Sequence, residues 1–492
     1  MRMKLTVFLL MLLLIASLTA CNEADSTSEQ EGDNTDSIEP FKYSTMVSTF
    51  AEVPDMNNQF WTKFQEDNNL DMDVQWVPNG EFQQQLNLRY SSGDLPDVVS
   101  VPLPDDINQR NAIENGVYWD LGPFLGDLSD YPNLKNHIPE IAWELSKIKG
   151  THYYIPRARS ELNVGYLMRK DLLDEVGVEV PENLDELHAA MKAVKEEYPD
   201  KIGMLFSDTL SFAFGTNTPQ YDSDGGLIAD MLSDSYTDMV EWYQKIYEDD
   251  LMSPEFSVIT NNAEIDNFFT SGKTIFIQKN MWHQYGMQEQ IQNHEPDAEV
   301  ALISVLDGPN GSAPYLDSGF VGGLLIPKTV PEDKVEKILE VFDQAASEEN
   351  SEALYYGYEG IHHNKENGQY AMTDIGLKEI QSFTGDPFSY KRDEYSKVDS
   401  PLAPPEVNEK NRDIAQQALD ELEIDKFASL YSETWSTEWP TYIDEFEVMR
   451  TEAIMGSISM DEYRDYIEDL KNKPEIKQAF LEFAESYQEL FE

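Results

Sequence analysis

Apolar positions recur along most of the chain at two spacings, and the spacings take turns. Phe41 to Ser48 reads as a strand. Asn58 to Asn68 reads as a helix with Phe60 and Phe64 on one face, Met72 to Val77 alternates like a strand, and Glu81 to Ser91 sets Phe82, Leu86 and Tyr90 at helical spacing. Asp97 to Val101 is a short apolar strand after a Gly-Asp-Leu-Pro break. Beyond a middle break the alternation resumes. Strands are predicted over His152–Ile155, Val164–Arg169, Ile202–Phe206, Thr274–Ile277 and the glycine-bearing Phe320–Ile326. Helices are predicted after Asn183, which caps with Glu186 three positions on, over Tyr236–Tyr247, and from Pro331 with Val335, Ile338, Leu339 and Phe342 facing one way. Strand and helix in alternation favour an α/β fold with mostly parallel sheets. The C-terminal region is helical and acidic. Gly456 ends one helix, and Ser459 with Glu462 makes a capping box for the next. There is no internal repeat. Two α/β lobes joined by more than one chain crossing is the simplest arrangement.

The first residues follow another pattern. Arg2 and Lys4 precede the apolar run Leu5 to Ile15, and small residues follow, which is the order of a secretory signal peptide over residues 1–20. The run is shorter than the ~20 residues of a spanning helix. Leu18-Thr19-Ala20-Cys21 resembles a bacterial lipobox, whose cysteine carries the lipid, so Cys21 is the expected lipidation site. Residues 21–40 are acidic, with almost no large apolar side chain, and read as a disordered tether. The expected location is the extracellular face of the cytoplasmic membrane of a Gram-positive bacterium.

Composition narrows the function. Hydrophobic residues make up 40 % and aromatics 11 % of 492 residues, enough for sizeable cores. The 35 basic and 93 acidic residues leave a net charge of −58, a field that repels phosphate backbones, so nucleic acid is excluded as a partner. One cysteine permits neither an intramolecular disulfide nor a cysteine-based zinc site.

Enzyme motifs do not hold up. Ser271-Gly272-Lys273-Thr274 mimics the end of a phosphate loop, but Asn267 stands where its glycine belongs, and the segment precedes a strand instead of following one. His294-Glu295 is not followed by a second histidine at zinc spacing, and there is no nucleophile-elbow pattern. Asp222-Ser223-Asp224-Gly225 looks like the start of a calcium loop, with Asp222 and Asp224 as minority metal candidates. The loop's twelfth position is Ser233 and not glutamate, so a turn is the better reading and no cofactor is expected.

Several segments together resemble the bacterial extracellular solute-binding proteins of family 1, the receptors of carbohydrate ABC importers, in their large Gram-positive lipoprotein branch. Ser92-Gly93-Asp94-Leu95-Pro96-Asp97-Val98-Val99 resembles the family's SGDxPDV turn. Gly116 to Leu125, Lys149-Gly150 leading to Tyr154-Ile155-Pro156, and Arg169-Lys170-Asp171-Leu172-Leu173 with Gly177 and Pro181 are similar to further family segments. So are Phe268 to Trp282, Tyr356 to Gly360 and Ile454-Met455-Gly456; Phe276 departs from a methionine after Gly-Lys, and Asn472-Lys473 from a glycine. The resemblance implies a two-lobed, maltose-binding-like type II clamp with helical C-terminal additions. Lobe one would be 41–155 plus 312–350, and lobe two 156–311 plus 351–492. It also implies a monomer that closes on a carbohydrate, an oligosaccharide in the larger members, and delivers it to ABC permease subunits. A surface sugar sensor and an extracellular glycoside hydrolase are the alternatives.

A sugar offers hydroxyls at its edge and C–H groups on its faces, so its site needs aromatic plates rimmed by polar groups. Trp282 follows a strand at the place where relatives put a sugar-stacking tryptophan. Trp435 and Trp439 flank a polar loop where relatives often supply a cleft aromatic. Trp119, beside Asp120, and Trp61, beside the core residue Phe60, are further candidates, with core packing as the competing role. Arg157 with Arg159 would suit an acidic sugar through bidentate contact. Tyr315 and Asp317 precede the glycine-bearing strand, and Glu359 lies in the Gly357–Gly360 loop. Asp97 reads as a residue that holds its own turn.

Overall fold

The computed structural model describes residues 39–49, 52–101, 107–259, 261–366, 369–381, 384–400 and 402–492. The expected leader 1–20, Cys21 and the tether up to residue 38 lie outside the described residues. Residues Pro40–Glu492 form one compact unit.

The strands are, in chain order, β1 (Phe41–Thr49), β2 (Leu70–Pro78), β3 (Val98–Val101), β4 (Ile155–Ala158), β5 (Val164–Arg169), β6 (Ile202–Met204), β7 (Thr274–Asn280), β8 (Val300–Ile303), β9 (Leu306–Asp307), β10 (Ser312–Ala313) and β11 (Phe320–Leu325), followed by the hairpin β12 (His363–Glu366) and β13 (Gln369–Met372). Two sheets organise the molecule, one in the order β2-β1-β3-β11-β4 and the other β6-β7-β5-β8. Each carries apolar side chains on both faces, as period-two strands between helical layers must. In β3, Val98 enters one core while Val99 and Val101 enter another; in β5, Tyr166 and Met168 point one way and Leu167 the other.

The sheets are mixed and not mostly parallel. β1 runs parallel to β2 and β3, but β11 is antiparallel to β3 and β4. β6 and β7 are parallel, while β5 is antiparallel to β7 and β8. The antiparallel pairs are the strands next to the crossings: β4 leaves the first sheet for β5 of the second, and β11 returns from it. The predicted strand at His152–Ile155 begins only at Ile155 and runs to Ala158.

Local signals place the helices. Asn58 accepts the Trp61 N–H and starts Gln59–Asp67; Asn183 accepts the Glu186 N–H and starts Leu184–Glu197; Ser459 and Glu462 form the full capping box of Met460–Lys471. In Glu332–Ala345 the buried stripe is Val335, Ile338, Leu339, Phe342 and Ala345. The C-terminal portion is shared between the cores. Ala353, Leu354, Phe388 and Tyr390 pack in the first sheet's core, while Trp439, Phe446, Tyr463 and Phe480 pack in the second's. The sequence-based division assigns all of 351–492 to the second lobe. The difference arises because Glu348–Tyr356 follows Glu332–Ala345 after a two-residue break, capped anew by Ser347, and its Ala353 and Leu354 pack in the same core as Val335, Leu339 and Phe342.

Candidate functional site

Three stretches connect the two sheets: residues 159–163, residues 304–319, and the segment that leaves the first core at Tyr390 and reaches the second sheet's outer face at Val398. A cleft pocket of about 680 Å³ opens beside them. Leu145 and Phe320 line it from the first core, Leu430 from the second, and Tyr315 and Asp317 from a connecting stretch.

The connecting stretch is extended where it passes the pocket. Leu316 pairs with Ile424 in a parallel bridge: its N–H donates to Glu423 O at 2.9 Å, and the Asp425 N–H donates to Leu316 O at 3.0 Å. Leu316 is buried in the second sheet's outer core. Its neighbours on either side therefore face the opposite way, so Tyr315 and Asp317 both reach the pocket. Phe212 lies 4.9 Å, ring to ring, from Tyr315. At the start of β11 the register shifts between Phe320 and Gly323, and Gly322 takes φ +65°. A Cβ on Gly323 would meet the Tyr154 ring at 2.8 Å, so glycine lets the strand lie against that side chain.

Two lobes touch across the pocket. Arg110, on the helix Ile107–Glu114 after β3, sets its guanidinium 3.9 Å over the ring of Tyr431. Tyr431 is held by its N–H on Ser486 Oγ at 3.1 Å, and the next turn is fixed by Glu482, which accepts from Ser432 Oγ at 2.6 Å and from the Thr434 N–H at 2.9 Å.

Acidic groups at the pocket are perturbed. Burial raises the carboxyls of Asp317 and Asp425 above the ordinary range, and Arg159 opposes the shift at Asp317. Burial, then Asp317 and Asp425, push the Tyr315 phenol up to about 12. Outside the pocket lining, Asp230 is pushed up to about 7 by burial and by Asp425. The pocket thus offers the rings of Tyr315, Phe320 and Tyr431, seven carboxyls, serine hydroxyls, two arginines and two lysines, which together suit a ligand dense in hydroxyls.

Of the sequence candidates, only Tyr315 and Asp317 line this pocket, along with Arg159, whose Nε stands 3.1 Å from Asp317 Oδ2, out of hydrogen-bond alignment. Arg157 is buried and pairs with Asp386 at 3.1 Å, so its charge is already used. Trp61 is fully buried between Phe60 and Phe64, and Trp439 is buried beneath Trp435, which stacks on it at 4.3 Å; Trp61 and Trp439 are core residues. Trp435 is half-buried on that stack and does not line the pocket. Trp119 donates Nε1–H to Val330 O at 3.0 Å and lines a separate surface groove with Phe124 and Tyr131. Glu359 is exposed in its loop. Trp282 is half-buried, stacks on His283 at 3.8 Å and donates its backbone N–H to Lys397 O, outside the pocket lining. Asp222 closes a tight turn, accepting the N–H groups of Asp224 and Gly226 at 2.9 and 2.8 Å. Asp97 likewise holds its own region, through Ser44.

Sequence reasoning missed Arg110, Tyr431 and Asp425. Arg110 sits in the helix Ile107–Glu114, whose periodicity speaks of a face and not of a cleft, and Asp425 and Tyr431 sit in short irregular links between helices. The one available signal was the isolated basic residue Arg110.

A family profile described as bacterial extracellular solute-binding protein matches residues 50–351. The polygalacturonan/rhamnogalacturonan-binding protein YtcQ of Bacillus subtilis (strain 168) is 27 % identical over 397 residues, covering 77 % of this chain and 78 % of its own. Lipoprotein LipO of the same organism is 24 % identical over 328 residues, 62 % of this chain and 64 % of its own. Among solved structures, an HMO-binding ABC-transporter-associated solute-binding protein of Bifidobacterium longum infantis superposes with a TM-score of 0.65 at 17 % identity, over 92 % of this chain and 99 % of its own.

Proposed function

Because the chain belongs to the bacterial extracellular solute-binding proteins, we propose that it captures an oligosaccharide between its two lobes and hands it, chemically unchanged, to the permease subunits of an ABC importer. The family is one of binding proteins, so the glycoside hydrolase reading falls away. The observation that carries the proposal is the cleft pocket lined from both cores, with Tyr315 and Asp317 on the stretch between them. A ligand that touches both lobes binds the closed form better than the open one and so draws the population shut. At about 680 Å³ the pocket exceeds a single sugar ring. The relatives named for polygalacturonan, rhamnogalacturonan and HMO support the same class. Lipid attachment at Cys21 is the anchoring we propose, supported by the lipobox-like sequence and by a relative named as a lipoprotein. More than one acyl chain would make the anchor stable.

The test is a thermal-shift panel of mono- and oligosaccharides, neutral and acidic. A ligand at a hundred times its Kd stabilises the native state by about 2.7 kcal/mol, which a melting curve resolves. We expect an oligosaccharide to raise the midpoint and to be recovered intact. Peptides that raise it where no sugar does would refute the substrate class.

A further inference from the structure

Beside the cleft pocket lie two cations with no carboxylate of their own. Arg157 is paired with Asp386 and Arg159 with Asp317, and on the adjoining segment Lys391 is paired with Glu348 and Arg412 with Asp399. Arg392 and Lys397, from the same segment as Lys391, form no ion pair with any described residue. In a chain with 93 acidic and 35 basic residues, a half-buried cation left without an anion is unexpected. Withdrawing a charge from water is costly unless an opposite charge meets it.

Both cations are positioned. Arg392 lies between two rings, 4.2 Å over Tyr390 and 5.1 Å over Tyr355, with Nε buried and unpartnered. The Lys397 backbone is tied to Trp282 by the N–H···O bond of 3.0 Å. The charged groups that act on Lys397 are Arg392 and Arg159, which repel it, and Asp386 and Asp317, which attract it but already serve Arg157 and Arg159. Behind Trp282, His283 is pushed down to about 4 by burial and by Lys279 and Lys397, so it adds no charge at neutral pH; Lys279 itself pairs with Asp266. Two hollows flank the pair. Arg159 and Asp317 line the cleft pocket, and Arg392 and Ser396 line a second pocket of about 270 Å³ with Tyr355, Tyr356 and Tyr370; of the carboxylates on its wall, Glu348 is paired with Lys391, Glu352 with Lys365, and Asp393 accepts the Tyr395 N–H.

We propose that Lys397 and Arg392 seat a carboxylate carried by the sugar, so that the ligand is an acidic oligosaccharide whose uronic residue lies between the cleft pocket and the tyrosine-lined pocket. The planar guanidinium held between two rings presents its N–H groups to one carboxylate edge, the lysine supplies a point charge, and the tyrosines offer apolar plates to adjoining C–H faces. The inference rests on the sugar-binding reading above and moves the acidic-sugar contact from the arginine pair 157/159, whose charges are spent, to a pair whose charges are not.

The experiment is calorimetric titration of the whole protein with a uronic-acid trisaccharide and with the same trisaccharide after reduction of its carboxylates to hydroxymethyl groups. We expect the acid to bind at least tenfold more tightly, and Lys397→Met and Arg392→Gln each to bring it near the neutral sugar. Lys410→Met, an exposed site elsewhere, serves as control. The wild type alone supplies a second readout. Burial and the neighbouring arginines pull the Lys397 ammonium down to about 8, so its positive charge fades as pH rises past that value. Affinity for the acid should therefore drop about tenfold between pH 7 and pH 9, while the neutral sugar's stays level. Equal binding of acid and neutral sugar, or an acid preference that survives both substitutions and the pH change, overturns the proposal and leaves the sugar-binding reading standing. Binding of neither overturns both. Inorganic sulfate that competes as well as the uronic sugar would show a site for free anions and also overturn it.

Discussion

Arg110 over Tyr431 is a contact between lobes, and its removal has a calculable consequence. Arg110→Met keeps most of the side-chain length and deletes the charge. A cation over an aromatic face contributes about 0.5–1 kcal/mol when exposed and about 2 kcal/mol when desolvated. With Tyr431 half-buried and the separation 3.9 Å, about 1.4 kcal/mol is a fair figure, which is tenfold in the ratio of closed to open forms. The loss is not offset locally, because Glu114, Glu433 and Glu482 surround the Tyr431 ring and Arg110 is the cation among them. If the free protein is closed no more than half the time, apparent sugar affinity falls about five- to tenfold, since only the competent fraction binds. Small-angle scattering of the ligand-free variant should show a larger radius of gyration than the wild type, and saturating sugar should restore it. Unchanged affinity together with an unchanged radius would refute the reasoning that this contact helps hold the lobes together.

Other expectations are independent of that contact. Asp230 in the folded protein titrates near 7 against 3.8 for the free side chain, so the folded state holds an extra proton between those values and loses stability as pH rises through them. Asp230→Asn should therefore stabilise by about 2 kcal/mol at pH 8, allowing for partial exposure, and hardly at all at pH 4; calorimetric melts at both values decide it. Trp61→Ala should cost about 3–5 kcal/mol of stability as a buried core truncation, and the protein that remains folded should keep its sugar affinity. Cys21→Ser should shift the protein from the membrane fraction to the medium, and retention of the variant on membranes would remove Cys21 as the anchor.

The sequence carried the elements better than their assembly. Caps such as Asn58, Asn183 and Ser459 act within a few residues, and the structure places all three at helix starts. The alternation of strand and helix was also legible, but the antiparallel pairing of β11 and β5 was not, because strand direction at a crossing depends on contacts far apart in the chain. Tryptophan was a poor guide to the cleft. Trp61 and Trp439 satisfy the same preference for aromatic surroundings by burying themselves. Tyr315 and Asp317 were found because they adjoin a recognisable strand, whereas Asp425 and Tyr431 come from irregular links between C-terminal helices, where no periodicity marks a face. Arg157 and Arg159 drew notice as a basic pair, yet a basic pair in an acidic chain finds carboxylates of its own, here Asp386 and Asp317.

A crystal structure with an oligosaccharide chosen from the thermal-shift panel addresses the central claim most directly. The sugar should lie intact in the cleft pocket, touching Arg110, Leu145 or Phe320 of the first lobe and Leu430 or Tyr431 of the second, along with Tyr315 or Asp317 from the stretch between them. A sugar seated on a single lobe, for example in the groove beside Trp119, with the cleft pocket left to water, would contradict it.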